Sequence, residues 1–164
     1  MPFDPMKDLD SYLNDHLAGS VSALELIEHW AHEHNGKPVG DFFMDIETEV
    51  RADRDKLHEV MRALKVEESN VRQAGAWVAE KIGRARMMLA GDEPNGLGLV
   101  LTLEGLIMGV LGKKLMWSAL AAAKLTSAKG FNFDELQRRA EQQIARMDAE
   151  RTRAAHRVLA NNNA

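Results

Sequence analysis

Residues 97–120 read LGLVLTLEGLIMGVLGKKLMWSAL, and how this stretch is interpreted decides the fold. Its most apolar part, 97–112, falls short of the roughly 20 residues a membrane-spanning helix needs, and Glu104 sits at its middle. The better reading is a buried helix that is apolar nearly all round, with Leu99, Val100, Leu103, Leu106, Ile107, Val110, Leu111, Leu115, Trp117 and Leu120 spread over its circumference. Such a helix is either surrounded by other helices or lies in a subunit interface. Gly105, Gly109 and Gly112 fall on one side of it, joined further along by Ala119. Glycine in a helix interior costs roughly 1 kcal/mol against alanine. Close approach of another helix is the expected compensation, and a ligand groove or channel is the alternative.

Working outward, punctuation marks five helical segments, at about 5–34, 41–65, 70–90, 97–128 and 132–159. Asp4-Pro5 opens the first as N-cap and first-turn proline, and Asn35-Gly36 closes it. Pro38 and Gly40 are expected to hold the following connection open, with Asp41 capping the second helix. Gly91-Asp92-Glu93-Pro94-Asn95-Gly96 is the strongest loop signal, and Asn132 with Glu135 has capping-box spacing. Apolar stripes at helical spacing support each segment. They include Leu13, Leu17, Leu24 and Ile27 in the first, Ile46, Val50, Leu57 and Val60 in the second, and Val71, Val78 and Ile82 in the third. The last carries a thin stripe, Leu136, Ala140, Ile144 and Met147, and reads as an outer or capping helix. No strand pattern occurs. The expectation is one all-α domain over 1–164.

Composition agrees. The 164 residues are 45% hydrophobic and 28% charged, ordinary for a globular chain. With 21 Lys plus Arg against 25 Asp plus Glu the net charge is −4, which argues against a nucleic-acid surface. The absence of cysteine excludes disulfides, thiolate metal sites and thiol chemistry. The opening MPFDPMKDLDSYL has no apolar core of a secretory signal, so a cytoplasmic address is expected and membrane association is not.

Several polar residues fall where the stripes predict burial: His16 and Ser20 in the first helix, Asp53 between Val50 and Leu57, and Glu104 among Val100, Leu103, Ile107 and Leu111. An unpaired carboxylate at Glu104 would be expensive there. Antiparallel helices could gather His16, Asp53 and Glu104 around a divalent metal, since carboxylate and imidazole groups converging in a bundle core suit iron or manganese. The competing reading is that these groups pair with one another or with Arg51, Arg54, Lys81 or Lys114, and merely fix helix register. His29, His32 and His34, with Glu25, Glu28 and Glu33, crowd a helix C-terminus and suit its dipole. Asp55 and His58 are three residues apart but point away from the stripe. GxSxG, P-loop, GxGxxG and HExxH elements are all missing.

The segments HLAGSVSALELIEHW (16–30), DIETEVRADRDKL (45–57), LEGLIMGVLGKKLMWSAL (103–120) and DELQRRAEQQIARMDAERTRAA (134–155) resemble small bacterial ferritin-like helical domains. The resemblance implies a four-helix core with one long crossover between its second and third helices. Val66 to Ser69 is too short to make that crossing, so 70–90 would have to supply it. An up-and-down bundle of the first four segments, with the fifth outside, is the plain alternative. Metal-binding members of the family use Glu-x-x-His on two helices, and this sequence contains none. The expected function is therefore non-catalytic, without catalytic or cofactor-binding residues. It would act through self-association, as a homodimer or larger assembly built on the fourth segment, or through an unidentified protein partner. The alternative is a divergent metal-carboxylate oxidoreductase using iron or manganese on His16, Asp53 and Glu104.

Overall fold

The computed structural model describes residues 4–69 and 96–160, so the third expected segment, 70–90, lies outside the described residues. Among the described residues there are four α-helices, one short 3-10 turn and no strand: α1 (Pro5–Glu33), α2 (Pro38–Leu64), α3 (Leu97–Ala123) and α4 (Phe133–Ala160). No helix among them is long and apolar enough to cross a membrane.

Helix ends follow from local chemistry. The Asp4 carboxylate accepts from the backbone N–H groups of Met6 and Lys7 at 3.2 and 3.4 Å, satisfying donors that the first turn of α1 leaves over. Asn132 does the same for Glu135 N–H, at 3.0 Å, at the start of α4. The α1–α2 connection is tighter than expected. Pro38 and Gly40 do not hold it open; they form the first turn of α2, where proline's missing N–H costs nothing. Gly36 turns the chain at φ 77°, and a Cβ on Gly40 would lie 2.1 Å from the His34 carbonyl oxygen. At the other end, α3 stops at Ala123 rather than near 128. Lys124 enters the left-handed region at φ 49°, and Thr126–Ala128 forms the 3-10 turn.

The helices pack as two hairpins. In the first, α1 and α2 are antiparallel, with Trp30 stacked on Phe43 at 5.5 Å and Arg51 of α2 paired to Glu28 of α1. In the second, α3 and α4 are antiparallel, with Lys114–Glu141 at 2.8 Å and Arg151–Glu104 at 3.7 Å. Two clusters make the core. One joins Ile27, Trp30, Phe43 and Ile46 to Leu99, Leu103 and Met147; the other joins Leu13, Leu17, Val60 and Met61 to Met116, Trp117 and Phe133. The expectation that the last helix is an outer cap is corrected: α4 buries Leu136, Ala140, Met147 and Ala154 along its length.

The clusters also set direction. Phe43 and Ile46 of α2 share the first cluster with Leu99 and Leu103 of α3, while Val60 and Met61 share the second with Trp117 and Leu120. α2 and α3 therefore run parallel, so the end of α2 and the start of α3 lie at opposite ends of a bundle about 40 Å long, at roughly 1.5 Å per helical residue. Asn14 ties the residues that follow α2 to α1. Its amide donates to the carbonyls of Asp10 (2.8 Å) and Glu67 (3.0 Å), and its oxygen accepts from Ser69 N–H (2.8 Å).

Candidate functional site

A polar cluster crosses the middle of the bundle. Asp53 of α2 is 2% exposed and faces both helices of the second hairpin. Its Oδ2 accepts from Lys113 Nζ of α3 at 2.5 Å and from Gln143 Nε2 of α4 at 2.8 Å, while Oδ1 lies 2.9 Å from Arg139 Nη2. Lys113 also donates to Gln143 Oε1 at 2.6 Å. Burial pushes the Lys113 ammonium below the usual lysine range, and the charge and hydrogen bond of Asp53 work against that shift. Oδ1 accepts no hydrogen bond among the described residues beyond its ion pair with Arg139, but a carboxylate between two cations and an amide is a charge-compensated buried group, and it ties α2, α3 and α4 into one register.

Of the structural partners considered from the sequence, the three among the described residues pair elsewhere than with Asp53: Arg51 with Glu28 and Glu47, Arg54 with Asp55, and Lys114 with Glu141. Lys81 lies outside the described residues. Gln143 could have been found by the signal that singled out Asp53. It stands three residues after Ala140 and four before Met147, a polar residue inside an apolar stripe.

Glu104 is not in the core, which corrects the expectation of a buried carboxylate. Its side chain is 47% exposed and pairs with Arg151 across the α3–α4 surface. It also stands about 13 Å along the helix from Lys113, at roughly 1.5 Å per residue. His16, Asp53 and Glu104 therefore do not converge. Among the described residues no group of three or more His, Asp or Glu side chains is placed to hold a metal ion. The surface histidines pair locally: His32 with Glu33 at 3.3 Å and His58 with Glu68 at 2.6 Å.

His16 and Asp53 do meet on one feature, a groove of about 390 Å³ between α1 and α3 that is floored by α2. Small residues of α1 (Gly19, Ser20, Ala23) and the glycines of α3 (Gly105, Gly109, Gly112) line it together. The His16 ring reaches to 4.0 Å from where a Cβ of Gly112 would stand. Burial holds the His16 imidazole below its ordinary pKa, opposed by the charge of Asp15. Close packing was expected against the glycine stripe, yet a Cβ on Gly105 or Gly109 would meet nothing within 4 Å among the described residues. The stripe borders a groove instead.

The outer side of α3 is exposed. Met108 (70%), Leu111 (44%), Leu115 (59%) and Leu97 form an apolar ridge beside the groove mouth, although the sequence pattern suggested burial all round. In comparisons with known proteins, no protein family, curated protein or solved structure matches this chain.

Proposed function

We propose that this chain is a non-catalytic, ferritin-like helical bundle that acts by associating with a second copy of itself through the outer face of α3. The observation that carries this reading is the ridge of Leu97, Met108, Leu111 and Leu115, which leaves large apolar side chains in water on one side of one helix. Large apolar side chains exposed together on one face of a helix mark an association surface more often than a bare monomer surface. Met108 adds an adaptable contact that can fit an irregular opposing face. The parallel placement of α2 and α3 supports the ferritin-like part, because it sets the end of α2 and the start of α3 at opposite ends of the bundle, as a topology with a long crossover between its second and third core helices requires.

Light scattering on the purified chain at high micromolar concentration tests the reading. The wild type should scatter as a dimer or larger species. Leu111→Glu with Leu115→Glu should scatter as a monomer of unchanged helix content. A wild-type monomer sinks the proposal. Stoichiometric iron or manganese in protein purified without chelator would favour the metal-carboxylate alternative in its place.

A further inference from the structure

The groove between α1 and α3 has features that an association ridge does not require. Glycines weaken a helix interior, yet among the described residues a Cβ on Gly105 or Gly109 would meet nothing within 4 Å, and the same is true of Gly19 across from them on α1. They keep the groove wide rather than bringing two helices together. Below them the walls are apolar, contributed by Leu26, Ile27, Val50, Leu106, Val110 and Met147. The volume of about 390 Å³ falls in the range of small-molecule sites, about 300–1,000 Å³.

The polar groups lining the groove include the carboxylates of Asp53 and of Asp15, which is exposed, yet donors of Arg54, Lys113 and Trp117 are left without an acceptor among the described residues. Trp117 is fully buried, and its indole N–H has no partner among the described residues. The same holds for the Nε–H of Arg54. Lys113 has three N–H donors and gives one to Asp53 and one to Gln143, which leaves a third. Oδ2 of the Asp53 carboxylate is already shared between Lys113 and Gln143, and Oδ1, which accepts no hydrogen bond among the described residues, faces the Arg139 guanidinium at 2.9 Å. Buried donors in excess call for an acceptor, and anionic oxygen makes the strongest hydrogen bonds with them. A neutral apolar molecule would fill the walls but leave these donors unmet.

We propose that the groove binds a medium- to long-chain carboxylate, with its hydrocarbon tail along the glycine-lined walls and its head group at the level of Lys113, Arg54 and Trp117. The carboxylate adds an acceptor where the chain has placed donors. The tail removes from water the apolar surface that the glycines leave uncovered. This proposal is separable from association through the α3 ridge: Met108 belongs to both the ridge and the groove lining, but Leu111 and Leu115 do not line the groove.

The test titrates the full chain with dodecanoate below its micelle concentration. Calorimetry measures the affinity, and the Trp117 indole N–H resonance, assigned with Trp117→Phe, reports the position. Saturable one-to-one binding is expected, with a shift of that resonance and at least tenfold weaker binding of dodecanol. Gly109→Leu should fill the groove and weaken dodecanoate at least tenfold while the melting temperature is kept. Arg54→Gln should weaken dodecanoate several-fold and leave dodecanol unchanged. Absence of binding, equal affinity for dodecanol, or an unmoved Trp117 resonance would each overturn the proposal. A Gly109→Leu variant that changes the association state but not dodecanoate affinity would assign the groove to the copy interface, which also overturns it. Repeating the titration on the Leu111→Glu, Leu115→Glu chain keeps failure of the groove distinguishable from failure of association.

Discussion

At the scale of single residues, two carboxylates that look alike in the sequence have opposite fates. Asp53 is buried against Lys113, Arg139 and Gln143, whereas Glu104 faces solvent beside Arg151. Asp53→Ala should destabilise by about 3–5 kcal/mol, because it strands buried cationic and amide groups. Replacing Asp53 by Leu, Lys113 by Met and Gln143 by Leu together should recover most of that loss, since the one partner then left over, Arg139, is partly exposed and can reach water. Glu104→Ala should stay within about 0.5 kcal/mol of the wild type, as exposed pairs generally do. Denaturant melts of the variants check both statements. His16 adds a pH dependence. Its pKa in the folded chain lies below the ordinary value of about 6.5, so the unfolded chain takes up the proton first as pH falls. The associated stability is complete above pH about 6.5 and is lost as pH falls from there through the folded value. Asp15 beside the ring limits the shift, and Lys113 and Arg54 face the same groove. Between pH 7.5 and 5 the wild type should therefore lose more melting temperature than His16→Gln.

At the scale of elements, glycines that look equivalent in the sequence do different work. Gly40 lies in the first turn of α2, where a Cβ would collide with the His34 carbonyl, a backbone atom that cannot swing aside. Gly109 lies in the middle of α3 beside open groove. Gly109→Ala should raise stability by about 0.5–1 kcal/mol through helix propensity and a less flexible unfolded chain. Gly40→Ala should lower it by about 1–3 kcal/mol, the usual range for overpacking a tight contact. Thermal melts with opposite signs for the two substitutions are the expected result. A destabilised Gly109→Ala would mean that another helix packs closely on the stripe after all.

At the scale of the whole molecule, two hairpins meet through an extensive core but leave α1 and α3 apart along the groove. The same α3 contributes Leu99, Leu103, Leu106 and Trp117 to the core and Met108, Leu111 and Leu115 to the outside. If association covers that outer ridge, folding and association are linked, and the melting temperature should rise with protein concentration. Scans across a hundredfold range of concentration check this, and the Leu111→Glu, Leu115→Glu chain should melt at one temperature throughout.

The all-helical class and the placement of α1, α2, α3 and α4 were legible in the sequence, because periodic apolar residues and capping groups act over a few residues and need no distant partner. Leu13, Leu17, Ile46, Val60 and Ala140 are buried as their spacing predicts. Asp4 and Asn132 cap the helices they precede. The Pro38–Gly40 turn was misread because it depends on the His34 carbonyl, which belongs to the preceding helix end. Half of the candidate site was legible: polar residues inside stripes pointed to His16 and Asp53, while Lys113, Arg139 and Gln143 entered only with the fold. Which partner a buried charge finds depends on how helices distant in sequence are set side by side. The same holds for which side of an all-round apolar helix faces water, so Glu104, the α3 ridge and the glycine-walled groove were decided by tertiary structure alone.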